Sequence, residues 1–373
     1  MKEFRIAILS DFTPQETLGG GTLLAKELSR EMGKLGDFQY LFITGADFKI
    51  KNRANRPRIF QYYADLVSIV PTLKILFYLR KQKINVIWLH QIGHRIPYSL
   101  IPLARLFRYG VILTLHDLNI VWTRKVYPDM LKRSPRTSTL KLIYSKNKIY
   151  NYFWNFRFKV VKLYVNRANS IVGIGEICRS ILFELGVKAK TAIPNGVALC
   201  DHGDLFRREK SMLFAGRLSG KGLSQVIEAF KFDSSEEWHL YLAGDVILNE
   251  IATRELKPSQ FTYLGLLSRN QLTEFIHSVE YVAVLSAYYD NYPTIALEAI
   301  MHGAKPITTP ITGVARLVES ISPDLVIPMN TKLVLKNLES VAPEQGTDFD
   351  TLKTQLSLDI YLAKWKEKIS SII

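Results

Sequence analysis

The stretch of sequence that decides the fold is Ser286–Ile307, SAYYDNYPTIALEAIMHGAKPI. An apolar strand, YVAVLSA (Tyr281–Ala287), leads into a polar loop that carries Asp290. Pro293 then suits the first position of a helix, because its fixed φ is helical and its missing N–H costs nothing there. Glu298 falls in the second turn of that helix, which we expect to end before a second strand, AKPITTP. Strand, helix and strand in this order predict a βαβ unit of a parallel sheet.

Two carboxylates, Asp290 and Glu298, are therefore predicted close to a helix N-terminus at the carboxyl end of a strand. In open α/β sheets, ligands bind at that edge of the sheet, and helix N-termini attract phosphate. The carboxylates would repel the phosphate itself, but they can accept hydrogen bonds from the hydroxyls of a ribose or a sugar. This pattern predicts a nucleotide-sugar site.

Strand-like and helix-like runs alternate along the whole chain, which indicates an α/β protein. We expect two Rossmann-like domains facing across a cleft, residues 1–190 and 191–352, joined by the turn AIPNGV, with residues 353–373 as one amphipathic helix crossing back to the first domain. The expected strands are Phe4–Phe12, Tyr40–Gly45, Ile84–Gln91, Gly110–Asp117, Asn169–Gly175, Ser211–Arg217, His239–Asp245, Phe261–Gly265, Tyr281–Ala287, the run AKPITTP and Leu325–Pro328.

The length and composition indicate a folded protein large enough for two hydrophobic cores. The 373 residues are 47% apolar. Cys178 and Cys200 lack the spacing of a metal or redox motif, so we expect reduced structural thiols. The amino end enters a strand without a leader pattern, and the longest apolar run, Leu66–Leu79, is too short to span a bilayer. We expect a cytoplasmic protein that can lie on the inner face of a membrane.

The net charge of +15 is concentrated in one segment, Arg124–Arg167, which holds twelve cations and a single carboxylate, Asp129. Aromatic residues are interleaved with these cations, and a second basic cluster runs from Lys49 to Arg58. Such a mixture suits an anionic membrane surface, where each cation adds about 1 kcal/mol and rings lie at the interface. A solvated helix face over a buried aromatic stripe would have the same composition. A nucleic acid would also suit the cations, but it would leave the acidic motif unexplained, so we expect no nucleic-acid partner.

Three further motifs bear on chemistry. The run LFAGRLSGKGLSQVIEAF places Arg217 and Lys221 in a loop between a strand and a helix, where a guanidinium and an ammonium suit a diphosphate; alone, such a loop can equally hold two solvated cations. Gly20 and Gly21 follow the first strand and would let the backbone approach a phosphate or sugar closely. His116 ends the strand GVILTLHD, where it can act as a base, a hydrogen-bond donor or a structural residue.

Together, GRLSGKG followed by IEAF, the IPNGV turn and the nine-residue stretch from Asp290 to Glu298 running into EAIMHGAKPI resemble glycosyltransferase family 4, retaining enzymes of the GT-B fold. The resemblance covers nearly the whole chain. It implies that Glu298 holds the ribose hydroxyls of a donor nucleotide and that Asp290 contacts the transferred sugar. It also implies that Arg217 and Lys221 bind the donor diphosphate.

The same resemblance implies roles in the rest of the site. Gly20 and Gly21 would approach the phosphate or sugar, His116 would lie near the transferred sugar and the acceptor, and Leu266 would lie near the donor base. No metal or cofactor is expected, because cations and helix N-termini neutralise the leaving diphosphate. The chain departs from the family at Gly175, where a serine is frequent.

The activity that the resemblance implies is transfer of a hexose from a UDP- or GDP-type nucleotide sugar to a hydroxyl of a glycan or lipid-linked saccharide. A lipid-linked acceptor would explain the basic segment Arg124–Arg167, and it points towards bacterial cell-surface polysaccharide synthesis. Asp290 stands where the family commonly has Glu, and Arg217 and Lys221 are one residue closer together than is usual. These departures leave a second hypothesis open, a non-catalytic GT-B scaffold or a nucleotide-sugar-binding partner of another enzyme.

Overall fold

The chain forms two compact units, Met1–Pro194 together with Leu362–Ile373, and Asn195–Tyr361. In the computed structural model, the described residues are 4–13, 20–36, 38–48, 68–90, 92–93, 95–118, 120–121, 126, 128–133, 140–143, 147–198, 207–216, 221–329, 331–341 and 349–373. The predicted α/β class is confirmed: each unit is built on its own parallel sheet with helical connections.

The first unit contains a six-stranded parallel sheet with the strand order β2-β1-β3-β4-β7-β8. Its strands are β1 Arg5–Ser10, β2 Gln39–Thr44, β3 Val86–Leu89, β4 Gly110–Leu115, β7 Ser170–Gly173 and β8 Thr191–Ala192. A separate antiparallel pair, β5 Leu131–Arg133 and β6 Leu140–Leu142, lies between β4 and β7 in the chain. The helices are α1 Gly20–Lys34, α2 Ile69–Lys81, α3 Leu100–Leu106, α4 Lys148–Val165 and α5 Glu176–Glu184.

Both faces of the central strands are buried. In β1, the residues Ile6 to Leu9 have no solvent exposure, and all four residues of β3 are buried. Continuous apolar runs of this kind are typical of parallel strands that helices cover on both sides. This is why the sequence predicted these strands well.

The second unit contains a five-stranded parallel sheet with the order β11-β10-β9-β12-β13. Its strands are β9 Arg208–Gly216, β10 His239–Gly244, β11 Phe261–Gly265, β12 Val279–Val284 and β13 Lys305–Thr308. Its helices, together with the C-terminal one that continues into the first unit, are α6 Leu223–Lys231, α7 Val246–Glu255, α8 Arg269–Ser278, α9 Thr294–Met301, α10 Ala315–Glu319, α11 Leu335–Leu338, α12 Phe349–Leu356 and α13 Leu358–Ser370.

Two expected elements are wrong. The expected strand at Leu325–Pro328 is reduced to one bridge between Thr308 and Val326, because a short 3₁₀ turn, Pro323–Leu325, takes up its beginning. The expected single helix 353–373 is broken at Ser357, which bridges to Val197.

The break in that helix has a specific cause. The N–H of Val197 donates to the Leu356 carbonyl at 2.9 Å, and the N–H of Leu358 donates to the Val197 carbonyl at 3.1 Å. These bonds take the place of the hydrogen bonds that would continue the helix, so α12 ends at Leu356 and α13 begins at Leu358.

Two smaller findings concern predictions from composition. Among the described helices, none is long and apolar enough to cross a bilayer. Cys178 is a buried thiol on α5, whereas Cys200 lies outside the described residues.

Candidate active site

The strand order of the second unit defines where a ligand can bind. From β9 the chain steps to β10 and β11 on one side, and β12 and β13 lie on the other side. The order therefore reverses between β9 and β12, and a crevice opens at the carboxyl ends of strands at such a switch point. The loops after β9 and β12 carry Lys221 and Asp290, so both residues belong to this crevice.

Lys221 and Asp290 form an ion pair, in which the ammonium donates to Oδ2 of the carboxylate. The Ser286 hydroxyl donates to the same oxygen at 2.9 Å, and the ammonium lies 5.4 Å from the centre of the Tyr288 ring. Burial alone would lower the pKa of Lys221, but Asp290 and Tyr288 outweigh it and raise that pKa above the usual lysine value. The crevice thus holds a fixed cation beside a carboxylate.

Glycines fix both loops. Gly222 has φ +89°, and a Cβ there would lie 2.4 Å from the backbone oxygen of Leu285, so only glycine lets the Lys221 loop lie against the end of β12. A Cβ at Gly313 would lie 1.3 Å from the backbone oxygen of Asn291. The N–H of Gly313 donates to the Asp290 carbonyl at 2.8 Å, which holds the Asp290 loop in place.

Two helix N-termini open into the same crevice. Gly222 is the N-cap of α6 and Pro293 is the N-cap of α9, and neither makes a side-chain capping bond. From the sequence we expected Pro293 to be the first helical residue; in the structure it is the N-cap, and the helix begins one residue later, at Thr294. Uncapped N–H groups of this kind are available to an anion.

Glu298 lies in α9 and is only 8% exposed. Its Oε1 is 3.7 Å from a guanidinium nitrogen of Arg269, the first residue of α8. The sequence did not indicate Arg269. Leu266, which follows the end of β11, is largely exposed.

The remaining predicted donor residues are less fully described. Arg217 lies outside the described residues. Gly20 and Gly21 are the first two residues of α1.

In the first unit, His116 follows β4 and forms a hydrogen bond with His90, which follows β3; His90 Nδ1 and His116 Nε2 are 2.7 Å apart. Burial lowers the pKa of His116 to about 4. Burial, and then the neighbouring His116, lower the pKa of His90 well below its usual value. Both rings are therefore neutral near pH 7, so His116 is a weak base there and a hydrogen-bonding group instead.

The sequence also missed Asp11, which lies immediately after β1 and is fully buried. Its Oδ1 accepts from the N–H of Arg95 at 2.8 Å and from the N–H of Ile96 at 2.6 Å. The strand order of the first unit reverses between β1 and β3. Asp11 therefore fixes the loop after β3 at the switch point of that unit.

The described part of the chain contains no cluster of acidic, histidine and cysteine residues able to hold a metal ion. Two anion-attracting helix N-termini, a fixed ammonium, the half-buried carboxylate of Asp290 and the buried carboxylate of Glu298 are instead combined in the second unit. Such an arrangement can bind a phosphate together with hydroxyl groups.

The class of fold is GT-B, the two-domain α/β fold of many glycosyltransferases. Sucrose-phosphate synthase from Thermosynechococcus elongatus matches with a TM-score of 0.69 and 15% identity, over 99% of this chain and 99% of its own. A glycosyltransferase from Rickettsia africae matches with a TM-score of 0.66 and 13% identity, over 100% and 99%. HepE of Anabaena, crystallised with UDP and glucose, matches with a TM-score of 0.65 and 14% identity, over 99% and 100%.

The comparison with protein families matches a smaller part of the chain. The family profile described as Glycosyl transferases group 1 matches residues 203–338, which lie in the second unit and include Lys221, Asp290 and Glu298. No curated protein sequence matches the chain.

Proposed function

We propose that this protein is a retaining glycosyltransferase of family 4 that moves a hexose from a nucleotide-diphospho-sugar to a hydroxyl of a glycan or lipid-linked saccharide. The observation that carries the proposal is the Lys221–Asp290 pair at the switch point of the unit that matches the group 1 profile. A role in bacterial cell-surface polysaccharide synthesis is part of the proposal.

The donor is assigned to the second unit, residues 195–361. Lys221, with Arg217, would bind the diphosphate, and the N-termini of α6 and α9 would add their N–H groups. Asp290 would accept a hydrogen bond from the transferred sugar, and Glu298 from the ribose. The proposed donor is of the UDP or GDP type; HepE, which has the same fold, was crystallised with UDP and with UDP-glucose.

The acceptor is assigned to the first unit. His116 would donate or accept a hydrogen bond as a neutral ring, since its pKa of about 4 leaves it unprotonated near pH 7. Gly20 and Gly21 would allow the start of α1 to approach the donor phosphate or sugar.

The reaction needs few groups beyond these. The bond between the anomeric carbon and the diphosphate oxygen breaks, and the acceptor oxygen bonds to the same face of that carbon. The acceptor proton passes to the departing phosphate oxygen, whose charge Arg217 and Lys221 stabilise. Asp290 and Glu298 would be occupied by hydroxyls, so neither would be free to act as a covalent nucleophile. The resemblance to family 4 then implies front-face attack with retention.

Replacing Lys221 by Ala tests the site. We expect transfer to fall by about 10²- to 10³-fold, the usual loss when one charge-stabilising contact is removed, and Glu298→Ala to abolish donor binding. Release of nucleotide and product can be followed with UDP- and GDP-hexoses and a lipid-linked saccharide.

Lys257→Ala is the matched control, because Lys257 also forms an ion pair in the second unit, with Glu236 on its surface. It should keep full activity, and circular dichroism should show all three variants folded. A rate of transfer in Lys221→Ala equal to that of the wild type would refute the site assignment.

A non-catalytic nucleotide-sugar-binding protein is the second candidate. It is favoured by one observation, that the Lys221 ammonium is paired with Asp290, whose negative charge offsets the positive charge that a diphosphate would need. Such a protein would bind the donor but release no nucleotide, either by transfer or by hydrolysis, so the same assay separates the two functions.

A further inference from the structure

Three helices of the first unit form one layer. The connections from β2 to β3, from β3 to β4 and from β4 to β7 all step in the same direction across the sheet. Because such crossovers are right-handed, α2, α3 and α4 lie on the same face of the sheet. Helix α3 packs against both α2 and α4.

Two contacts hold the layer together. The hydroxyls of Thr72 on α2 and Ser99, the N-cap of α3, are 2.9 Å apart. The buried Arg157 of α4 lies 5.9 Å from the centre of the Tyr98 ring, just before α3. The three helices are therefore fixed relative to one another.

By the same rule α5, which connects β7 to β8, lies on this face and carries Glu176 and Glu184. The other three helices, α2, α3 and α4, are strongly basic. Helices α2, α3 and α4 contain no aspartate or glutamate. Between Leu66 and Gly175 there are nineteen lysines and arginines and two carboxylates, Asp117 and Asp129. This segment's charge of +17 exceeds the +15 of the whole chain, so the remainder is slightly acidic.

The outer side of the layer is also apolar. Of the 21 exposed large hydrophobic side chains among the described residues, eleven belong to these three helices and the residue after α3. Phe77 on α2 is 75% exposed and Tyr152 on α4 is 76% exposed. The eleven are Ile69, Val70, Leu73, Phe77, Leu106, Phe107, Ile149, Tyr150, Tyr152, Phe156 and Leu163.

On α4 the two properties share one side of the helix. Ile149, Tyr152, Phe156 and Leu163 recur at helical intervals, so they lie along one stripe while Trp154 and its neighbours are buried on the other. The exposed cations Lys148 and Lys159 fall on the same side of the helix, and the exposed Arg167 follows shortly after its C-terminal end. A helix face with rings, aliphatic side chains and cations is typical of a helix that lies in a membrane interface.

A cavity opens at one end of this surface. It measures about 820 Å³ and is lined both by apolar residues of the surface, Leu73, Phe77 and Phe107, and by the cations Arg80 and Arg108. A cavity with apolar walls and guanidinium groups suits an anionic amphiphile.

We propose that the outer side of α2, α3 and α4, which we name the basic helical face, docks on an anionic lipid bilayer. The sequence placed membrane contact in Arg124–Arg167 alone; the structure adds α2 and α3, which lie outside that segment. Docking is a property separate from donor chemistry, and it would bring the first unit to an acceptor held in the membrane.

The chemistry of the face distinguishes a bilayer from other partners. Exposed Ile, Val and Leu side chains gain little from a nucleic acid, which is bound through cations and through stacking of its bases on aromatic rings. Lysine is depleted in protein interfaces, whereas lysines near an anionic membrane each strengthen binding. Aliphatic residues and lysines together are best satisfied where acyl chains and anionic head groups meet.

Vesicle flotation of the full chain tests this proposal. We expect binding to vesicles of phosphatidylcholine with one quarter phosphatidylglycerol, and far weaker binding to phosphatidylcholine alone. Phe77→Ser should weaken the partition coefficient by about ten-fold, and Lys159→Gln by about five-fold.

Matched substitutions outside the face serve as controls. Phe232→Ser removes a ring of similar exposure from the second unit, and Lys364→Gln removes an exposed lysine from α13. Both should bind vesicles as the wild type does. Binding of UDP to Phe77→Ser should be unchanged, so a failed docking proposal is distinguishable from a failed donor proposal.

Three results would overturn the proposal. One is the absence of any preference for anionic vesicles, and another is equal loss of binding in the face variants and their controls. The third is binding to duplex or single-stranded DNA in place of vesicles, which would assign the face to nucleic acid.

Discussion

At the scale of single residues, Gly313 decides where Asp290 lies. An alanine Cβ at this position would fall 1.3 Å from the Asn291 carbonyl oxygen, so the loop after β12 would have to move. We predict that Gly313→Ala costs about 1–3 kcal/mol of unfolding free energy and weakens donor binding together with it. Urea unfolding and UDP titration would measure the two effects.

Gly33 provides the control for that substitution. It lies in α1, and an added Cβ there would meet no atom within 4 Å. Gly33→Ala should therefore stabilise the protein by up to about 1 kcal/mol, because alanine is the better helix former. If Gly313→Ala behaved in the same way, the Asp290 loop would not be fixed as described.

The His90–His116 pair predicts a dependence of stability on pH. Both pKa values are lowered by burial, that of His116 to about 4. As pH falls from about 6.5 towards 4, the unfolded chain takes up protons and the folded chain does not, so the free energy of unfolding decreases. The contribution of His116 to the free energy of unfolding is fully present above about pH 6.5, and it is lost progressively as the pH falls towards about 4.

Unfolding by urea at pH 7.5 and pH 5.0 measures this effect. We expect the wild type to lose on the order of 1–2 kcal/mol more than His116→Gln over this interval. An equal loss in both proteins would show that His116 is not held neutral by the fold.

Asp290 and Glu298 could be predicted because strand, loop and helix follow each other within 22 residues of sequence. His90 and Asp11 could not, since their contacts join residues that are far apart: Asp11 bonds to Arg95, 84 residues away, and His90 bonds to His116, 26 residues away. Both follow strands that were predicted, so a polar residue directly after each strand was the signal available. Arg269 meets Glu298 only through the packing of α8 beside α9.

At the scale of elements, strands buried on both faces were predicted and elements formed by long-range bonds were not. The expected strand Phe261–Gly265 is found with the same bounds. The β5–β6 pair was missed because its strands, LKR and LKL, have only three residues each, which is too short for an apolar alternation to indicate a strand. The break between α12 and α13 depends on Val197, about 160 residues earlier in the chain.

Helix α13 contributes to the core of the first unit through Trp365. This side chain has no solvent exposure, and its ring lies 4.3 Å from that of Trp88 on β3. We predict that Trp365→Ala destabilises the protein by about 3–5 kcal/mol, the usual cost of removing a buried tryptophan. Unfolding monitored by circular dichroism checks this.

The exposed neighbour Lys364 gives the comparison on the same helix, and Lys364→Ala should change stability little. A small effect of Trp365→Ala, comparable to that of Lys364→Ala, would contradict a structural role for α13 in the first unit.

At the scale of the whole molecule, two Rossmann-like domains were predicted from the alternation of strands and helices in two sets, and the resemblance to family 4 implied the GT-B fold. Structures that share this fold are 13–15% identical to the chain, so the likeness establishes the fold and not the substrate. In the proposed function, the choice of donor sugar would depend on the side chains around Asp290. The docking face depends on helices that are adjacent only through the order of the sheet.

The most direct test of the central claim is the melting temperature in the presence of UDP-, GDP- and dTDP-hexoses. A ligand at about 100 times its Kd adds about 2.7 kcal/mol of stability, so one nucleotide series should raise the melting temperature of the wild type by several degrees. The same ligand should leave Lys221→Ala and Glu298→Ala unchanged. The absence of a shift with every nucleotide sugar, or an equal shift in the variants, would contradict the account.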